Sequence, residues 1–157
     1  MGYLVWTDDL NTGIDVIDGQ HKRIVEYINK LHDARQQNDP TGIGEIIAAT
    51  VDYTVSHFTF EETLIEDAGY EFVRPHKKVH ELFIRRIGEF KERFDKGEDV
   101  AEELNDLLAR WLFNHIRNDD AAYVQAVKSN ILEITSDRAK NGWLSRSIKK
   151  IFKGRQT

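Results

Sequence analysis

The sequence predicts an all-α protein: an antiparallel up-down-up-down four-helix bundle with an N-terminal arm and a basic helical extension at the C-terminus. Three observations predict it. Apolar residues recur at alternating steps of four and three in separate stretches, the period of a buried helix seam. No stretch alternates as a half-buried strand would. The links between stretches are short, and only two prolines occur in 157 residues.

Composition narrows the class. The chain is 40% apolar and 31% charged, as expected for one globular helical domain. No apolar run approaches the roughly 18–20 residues of a membrane span, and the N-terminus has neither a basic nor an apolar signal region. A cytoplasmic location is the expectation. With no cysteine, any metal must be held by nitrogen and oxygen. Seven of the 22 Lys and Arg residues, but none of the 27 acids, lie in 138–157. The rest of the chain is acidic, which excludes nucleic acid as its partner. The expected division is a bundle over 1–132 and a tail over 133–157.

Taken in order, Leu4, Val5, Trp6 and Ile14 read as an arm laid across the bundle. Asp18 reads as the N-cap of the first helix, with the stripe Ile17, His21, Ile24, Ile28, Leu31 and an end near Asn38. Asp39-Pro40 is an N-cap followed by proline in the first turn. It opens a second helix to about Asp67 with the stripe Ile43, Ile47, Thr50, Thr54, His57, Glu61, Leu64. Pro75 opens the third, whose stripe is His76, His80, Phe83, Ile87, Phe90, Phe94, and Lys96-Gly97 stops it. Asp99-x-x-Glu102 resembles a capping box for the fourth, with the stripe Ala101, Leu104, Leu108, Trp111, His115. Asn118-Asp119-Asp120 breaks the pattern. A shorter helix then follows, from Ala121 to about Leu132.

The candidate site comes from comparing depths. His57 and Glu61 stand at i and i+4, about 40° apart on one helix face, and that face is the core seam. A carboxylate in a core is costly unless paired, protonated or bound to metal. In an antiparallel bundle the starts of helices one and three meet the ends of two and four. His21, His57, Glu61, His76, His80 and His115 therefore reach one layer. Asp120 lies about 140° round from His115 on an unbroken helix, so it joins only if the backbone leaves α-geometry between them. Asn and Asp favour such departures. The sixth histidine, His32, lies roughly 16 Å further along the first helix than His21 and reads as structural. Glu62, Glu66 and Asp67 read as a solvated face.

The set His21, His57-x3-Glu61, His76-x3-His80, His115-x4-Asp120, with the local runs Asp18-Gly19-Gln20-His21 and His57-Phe58-Thr59-Phe60-Glu61-Glu62, resembles the hemerythrin family over residues 1–130. The resemblance implies a non-haem centre of two iron ions with a bridging oxo or hydroxo. By that analogy His76, His80 and His115 hold one iron, His21 and His57 the other, and Glu61 and Asp120 bridge both. One coordination position stays open, on the iron with two histidines, where a diatomic ligand fits. Ile24, Phe58, Trp111, Leu112 and Ile116 match the family's apolar dioxygen pocket; they would be apolar in any bundle core. The implied function is reversible dioxygen binding by a carrier or store, as a monomer and not an enzyme. No acid or base beyond the ligands is evident, which argues against a peroxidase or nitric-oxide reductase. A sensor would need an output domain.

In the tail, Leu144, Ile148 and Ile151 share a helical face among Arg146, Lys149, Lys150, Lys153 and Arg155. Such a segment suits an anionic membrane surface or an acidic protein partner. The preferred reading is that it folds back on the acidic bundle. Co-sedimentation with anionic liposomes should then be equal with and without residues 138–157; loss of pelleting on truncation would assign the tail to membranes.

Overall fold

The computed structural model describes residues 3–141, with side chains for residues 3–132. Five helices follow one another: α1 (Asp15–Gln36), α2 (Pro40–Asp67), α3 (Val73–Asp95), α4 (Ala101–His115) and α5 (Ala121–Asn141). A short 3-10 turn, Asp8–Leu10, precedes α1, and a π turn, Ile116–Asp120, joins α4 to α5. The helices α1 to α4 form the bundle, and no strand occurs among the described residues. None of the described helices is long and apolar enough to cross a membrane.

Helix ends follow local chemistry. Asp39 caps α2 by accepting from the Gly42 N–H at 3.1 Å, with Pro40 in the first turn. The first three helices stop alike. Asn38, Gly69 and Gly97 adopt positive φ. In each case that residue and the next return their N–H groups to the last turn, as in Asn38 N to Arg35 O and Asp39 N to Ala34 O.

Four expected boundaries move. Asp18 is not the N-cap of α1. Ile14 takes that position, and Asp18 lies in the first turn, where its carboxylate accepts from Thr12 N (2.8 Å), Thr12 Oγ1 (2.7 Å) and Gly13 N (3.1 Å). The preceding loop thus folds over the helix start. Helix α3 opens at Val73, not Pro75; a proline in the first turn removes an N–H that has no helical acceptor anyway. The capping box at α4 does not form. Val100 is fully buried and takes the cap position without a side-chain bond, while Glu102 faces Arg35. Helix α5 passes Leu132 and runs to Asn141; no proline or glycine lies between Ala121 and Gly142 to stop it. The rest of the basic tail lies outside the described residues.

The seams bury over most of their length, but Ile43, Leu64, Phe94 and Trp111 are only partly buried, and beyond Glu61 the buried residue is Ile65 rather than Leu64. One apolar cluster joins Ile24, Ile28, Leu31, Ile47, Phe83, Ile87, Leu104 and Leu108, and a second joins Ile14, Ile17, Ile65, Tyr123 and Val127. On α1, His21 lies between Ile17 of one cluster and Ile24 of the other. On α2, Glu61 lies between Phe58 and Ile65. The polar layer is thus sealed by hydrocarbon on both sides. The arm is pinned to α1 by a reciprocal pair, Leu4 N to Asn29 Oδ1 (2.7 Å) and Asn29 Nδ2 to Leu4 O (3.0 Å). Its anchor is Leu10, fully buried, whereas Val5 is 55% exposed. Leu10→Ala should therefore cost about 2–5 kcal/mol in denaturant unfolding, and Val5→Ala less than about 0.5 kcal/mol, although both residues lie in the arm.

Candidate metal centre

The π turn solves the angular problem at Asp120. Its wider i→i+5 repeat brings Asp120 under His115, and both side chains are buried. All seven expected residues converge. They fall into two groups whose nitrogen and oxygen atoms lie within 4.8 Å of one another: Glu61, His76, His80, His115 and Asp120 in one, and His21, His57 and Glu61 in the other.

The carboxylates divide their oxygens between the groups. Glu61 Oε1 lies 2.7 Å from His76 Nε2 and 3.0 Å from His80 Nε2. Its Oε2 lies 3.4 Å from His57 Nε2 and 3.8 Å from His21 Nε2. Asp120 Oδ1 lies 3.0 Å from His115 Nε2 and 3.3 Å from His76 Nε2, and Oδ2 lies 3.1 Å from His21 Nε2. Each carboxylate thus offers one oxygen to each side.

Outward hydrogen bonds orient the rings. His57 Nδ1 donates to Gln20 Oε1 (2.7 Å), His80 Nδ1 to Glu62 Oε1 (3.1 Å) and His115 Nδ1 to Asp119 Oδ2 (2.7 Å). This commits the Nδ1 protons outward and turns the Nε2 atoms inward. His80 Nε2 and His115 Nε2 face each other at 3.0 Å, with room for one proton at most between them. Tyr123, fully buried on α5, donates to Glu61 Oε2 at 3.0 Å.

A cation fits this donor set. His21 Nε2, His57 Nε2 and both Asp120 oxygens are buried without a hydrogen-bond partner, a state that is rare and costly unless something binds there. The electrostatics agree. Burial opposes a low pKa for Glu61, yet His21, His57, His76 and His80 hold its carboxyl well below the ordinary value. Asp120 is also held low: burial and the Glu61 charge oppose this, and His115 and His21 outweigh them. Burial works against protonated imidazoles, but Asp120 and Glu61 still raise His21 and His76 to about 9. His115 rises to about 9 through Asp120 and Asp119, again against burial. At His57 burial prevails and the pKa falls.

Of the expected pocket residues, Phe58 and Trp111 lie directly on the histidines. Phe58 stacks on His80 at 3.8 Å and 3° and also meets the His57 ring at 5.7 Å. Trp111 stacks on His115 at 4.4 Å and on Phe83 at 3.5 Å. Ile24, Leu112 and Ile116 are buried in the adjoining apolar cluster. His32 stands apart, stacked on Tyr3 at 4.4 Å. Glu62 does not belong to a purely solvated face, because it holds His80. Sequence reasoning missed Gln20, Glu62, Asp119 and Tyr123 as partners. The signals were present for three: Gln20 and Glu62 flank His21 and Glu61, and Asp119 stands at i+4 from His115. Tyr123 had none, since its partner lies 62 residues away.

The fold and the cluster define a class: a four-helix bundle with a buried, histidine-rich cation site between two apolar layers. Residues 12–127 match the Hemerythrin HHE cation binding domain. The chain is 64% identical over 152 residues to a bacteriohemerythrin of Pseudomonas aeruginosa (strain LESB58), covering 97% of this chain and 99% of that one. It is 52% identical over 152 residues to a bacteriohemerythrin of Stenotrophomonas maltophilia (strain R551-3), with the same coverage. A crystal structure of wild-type hemerythrin superposes with a TM-score of 0.76 at 31% identity, over 80% of this chain and 98% of that chain. The chain belongs to the hemerythrin family.

Cation binding should be proton-linked. Imidazoles ligate only when neutral. His21, His76 and His115, with pKa values near 9, are protonated at neutral pH in the metal-free protein. Metal uptake should release protons, and apparent affinity should rise with pH up to about 9 and then level. Affinity independent of pH, in competition titrations with Zn2+, would show that these rings do not ligate.

Proposed function

We propose that this protein binds dioxygen reversibly at a di-iron centre and serves as a carrier or store, acting as a monomer in the cytoplasm. His76, His80 and His115 would hold one iron, His21 and His57 the other, and Glu61 and Asp120 would bridge them alongside an oxo or hydroxo. One observation carries the reading: each buried carboxylate points one oxygen at the three-histidine group and one at the two-histidine group. That is the donor geometry of a bridge between two cations. The relatives named bacteriohemerythrin support it, as does the 29% identity over 120 residues to myohemerythrin-1 of Phascolopsis gouldii.

Iron, when bound, supplies a redox-active position at which dioxygen is held. The chain supplies the rest. Five neutral imidazoles donate less electron density than the carboxylates of ferritin-like centres, which favours binding over O–O cleavage. Phe58, Trp111, Ile24, Leu112 and Ile116 form the apolar wall that limits water and proton access. The π turn and the outward hydrogen bonds hold the donors in place before metal arrives, so little reorganisation is needed on loading.

The test is an optical spectrum of the iron-loaded, reduced protein before and after air. An oxygen-dependent band that disappears when oxygen is removed is expected; an unchanged spectrum would reject the proposal. Rapid decay of that band with turnover of peroxide or nitric oxide would instead make the protein an enzyme. Glu61→Ala should lose metal from both positions, measured as iron per chain, because both groups share that residue.

A further inference from the structure

The two halves of the site are supported unequally. On the three-histidine side, His80 and His115 donate to carboxylates, Glu62 and Asp119. A charge-assisted bond of this kind makes an imidazole a stronger donor at its other nitrogen. On the two-histidine side, His57 donates to the neutral amide of Gln20, and His21 Nδ1 is buried with no hydrogen-bond partner. Tyr123 adds to the contrast. Its hydroxyl bonds to Glu61 Oε2, the oxygen that faces His21 and His57. That bond competes for electron density a cation there would use, while Oε1 on the other side accepts from His76 Nε2 at 2.7 Å, a ring that would itself ligate a cation there. Four separate contacts thus act in one direction.

We propose that these contacts order the assembly of the centre: a first divalent cation enters the half built on His76, His80 and His115, and the half built on His21 and His57 fills second. Glu62 and Asp119 are the positioning residues that set the order, and Gln20 keeps the second half weak. The inference rests on the two-cation reading above. It goes beyond that reading by distinguishing the halves and assigning the difference to residues that do not ligate.

The order can be read in the full-length, metal-free protein by titration with Co2+, followed by calorimetry and by the cobalt absorption bands. Two resolved steps are expected, the first tighter by about tenfold or more. Glu62→Gln and Asp119→Asn should each weaken the first step by about tenfold and leave the second in place. Gln20→Glu should tighten the second step alone, a gain that a merely structural role would not produce. His57→Ala should keep the tight step and lose the weak one, and His80→Ala should do the reverse; circular dichroism confirms that each variant is folded. Two cations bound in one unresolved step, or a tight step that disappears in His57→Ala, would overturn the order while leaving the two-cation reading intact. No Co2+ bound at all would overturn both.

Discussion

Two carboxylates with no exposure to water, Glu61 and Asp120, constrain the rest of this molecule. Burying them in hydrocarbon is costly without positive charge nearby. His21, His76 and His115 provide that charge in the metal-free protein, where protons are held on rings whose ordinary pKa would release them. A cation in their midst would take over the same role. The exchange of protons for metal follows from the charge balance of the layer.

Satisfying those carboxylates sets the register of every helix. His21 must come from the start of α1 and His76 and His80 from the start of α3, while His57, Glu61 and His115 must come from the ends of α2 and α4. Sliding any helix by one turn would move its donor about 5 Å along the axis, out of reach of the others. The apolar clusters on either side fill the remaining core and hold the register. Asn105 contributes within the larger cluster: buried, it donates to the Ile28 carbonyl and accepts from Arg35, tying α4 to α1.

The supporting groups divide in type as the ligand groups divide in number. Anionic partners stand behind His80 and His115, a neutral amide behind His57, and nothing behind His21. Under the proposed order of filling, the half with anionic partners takes the first cation and the other half the second. The aromatic packing is also uneven: Trp111 stacks on His115 of the three-histidine group, and among the described residues Phe58 meets rings of both groups.

Much of this was legible in the chain itself. The four helical seams, the Asp39-Pro40 start and the Lys96-Gly97 stop follow from periodicity and cap chemistry, which act over a few residues. The convergence of His21, His57, Glu61, His76, His80 and His115 follows from those seams and the antiparallel order, because helix length and short links leave few other arrangements. Asp120 required one further step: its spacing demanded a backbone departure, and the chemistry of Asn118-Asp119-Asp120 allowed one. Tertiary structure alone decided that the departure is a π turn, since only the pull of the buried site makes the wider turn worthwhile. It alone drew Asp18 from a cap into a loop clasp, buried Val100 in place of an Asp99 cap, and seated Leu10 in the core. It alone set Tyr123 against Glu61. Apart from the Asp18 clasp, whose partners Thr12 and Gly13 are close in sequence, those outcomes depend on neighbours far apart in sequence, and local propensity carries no record of them.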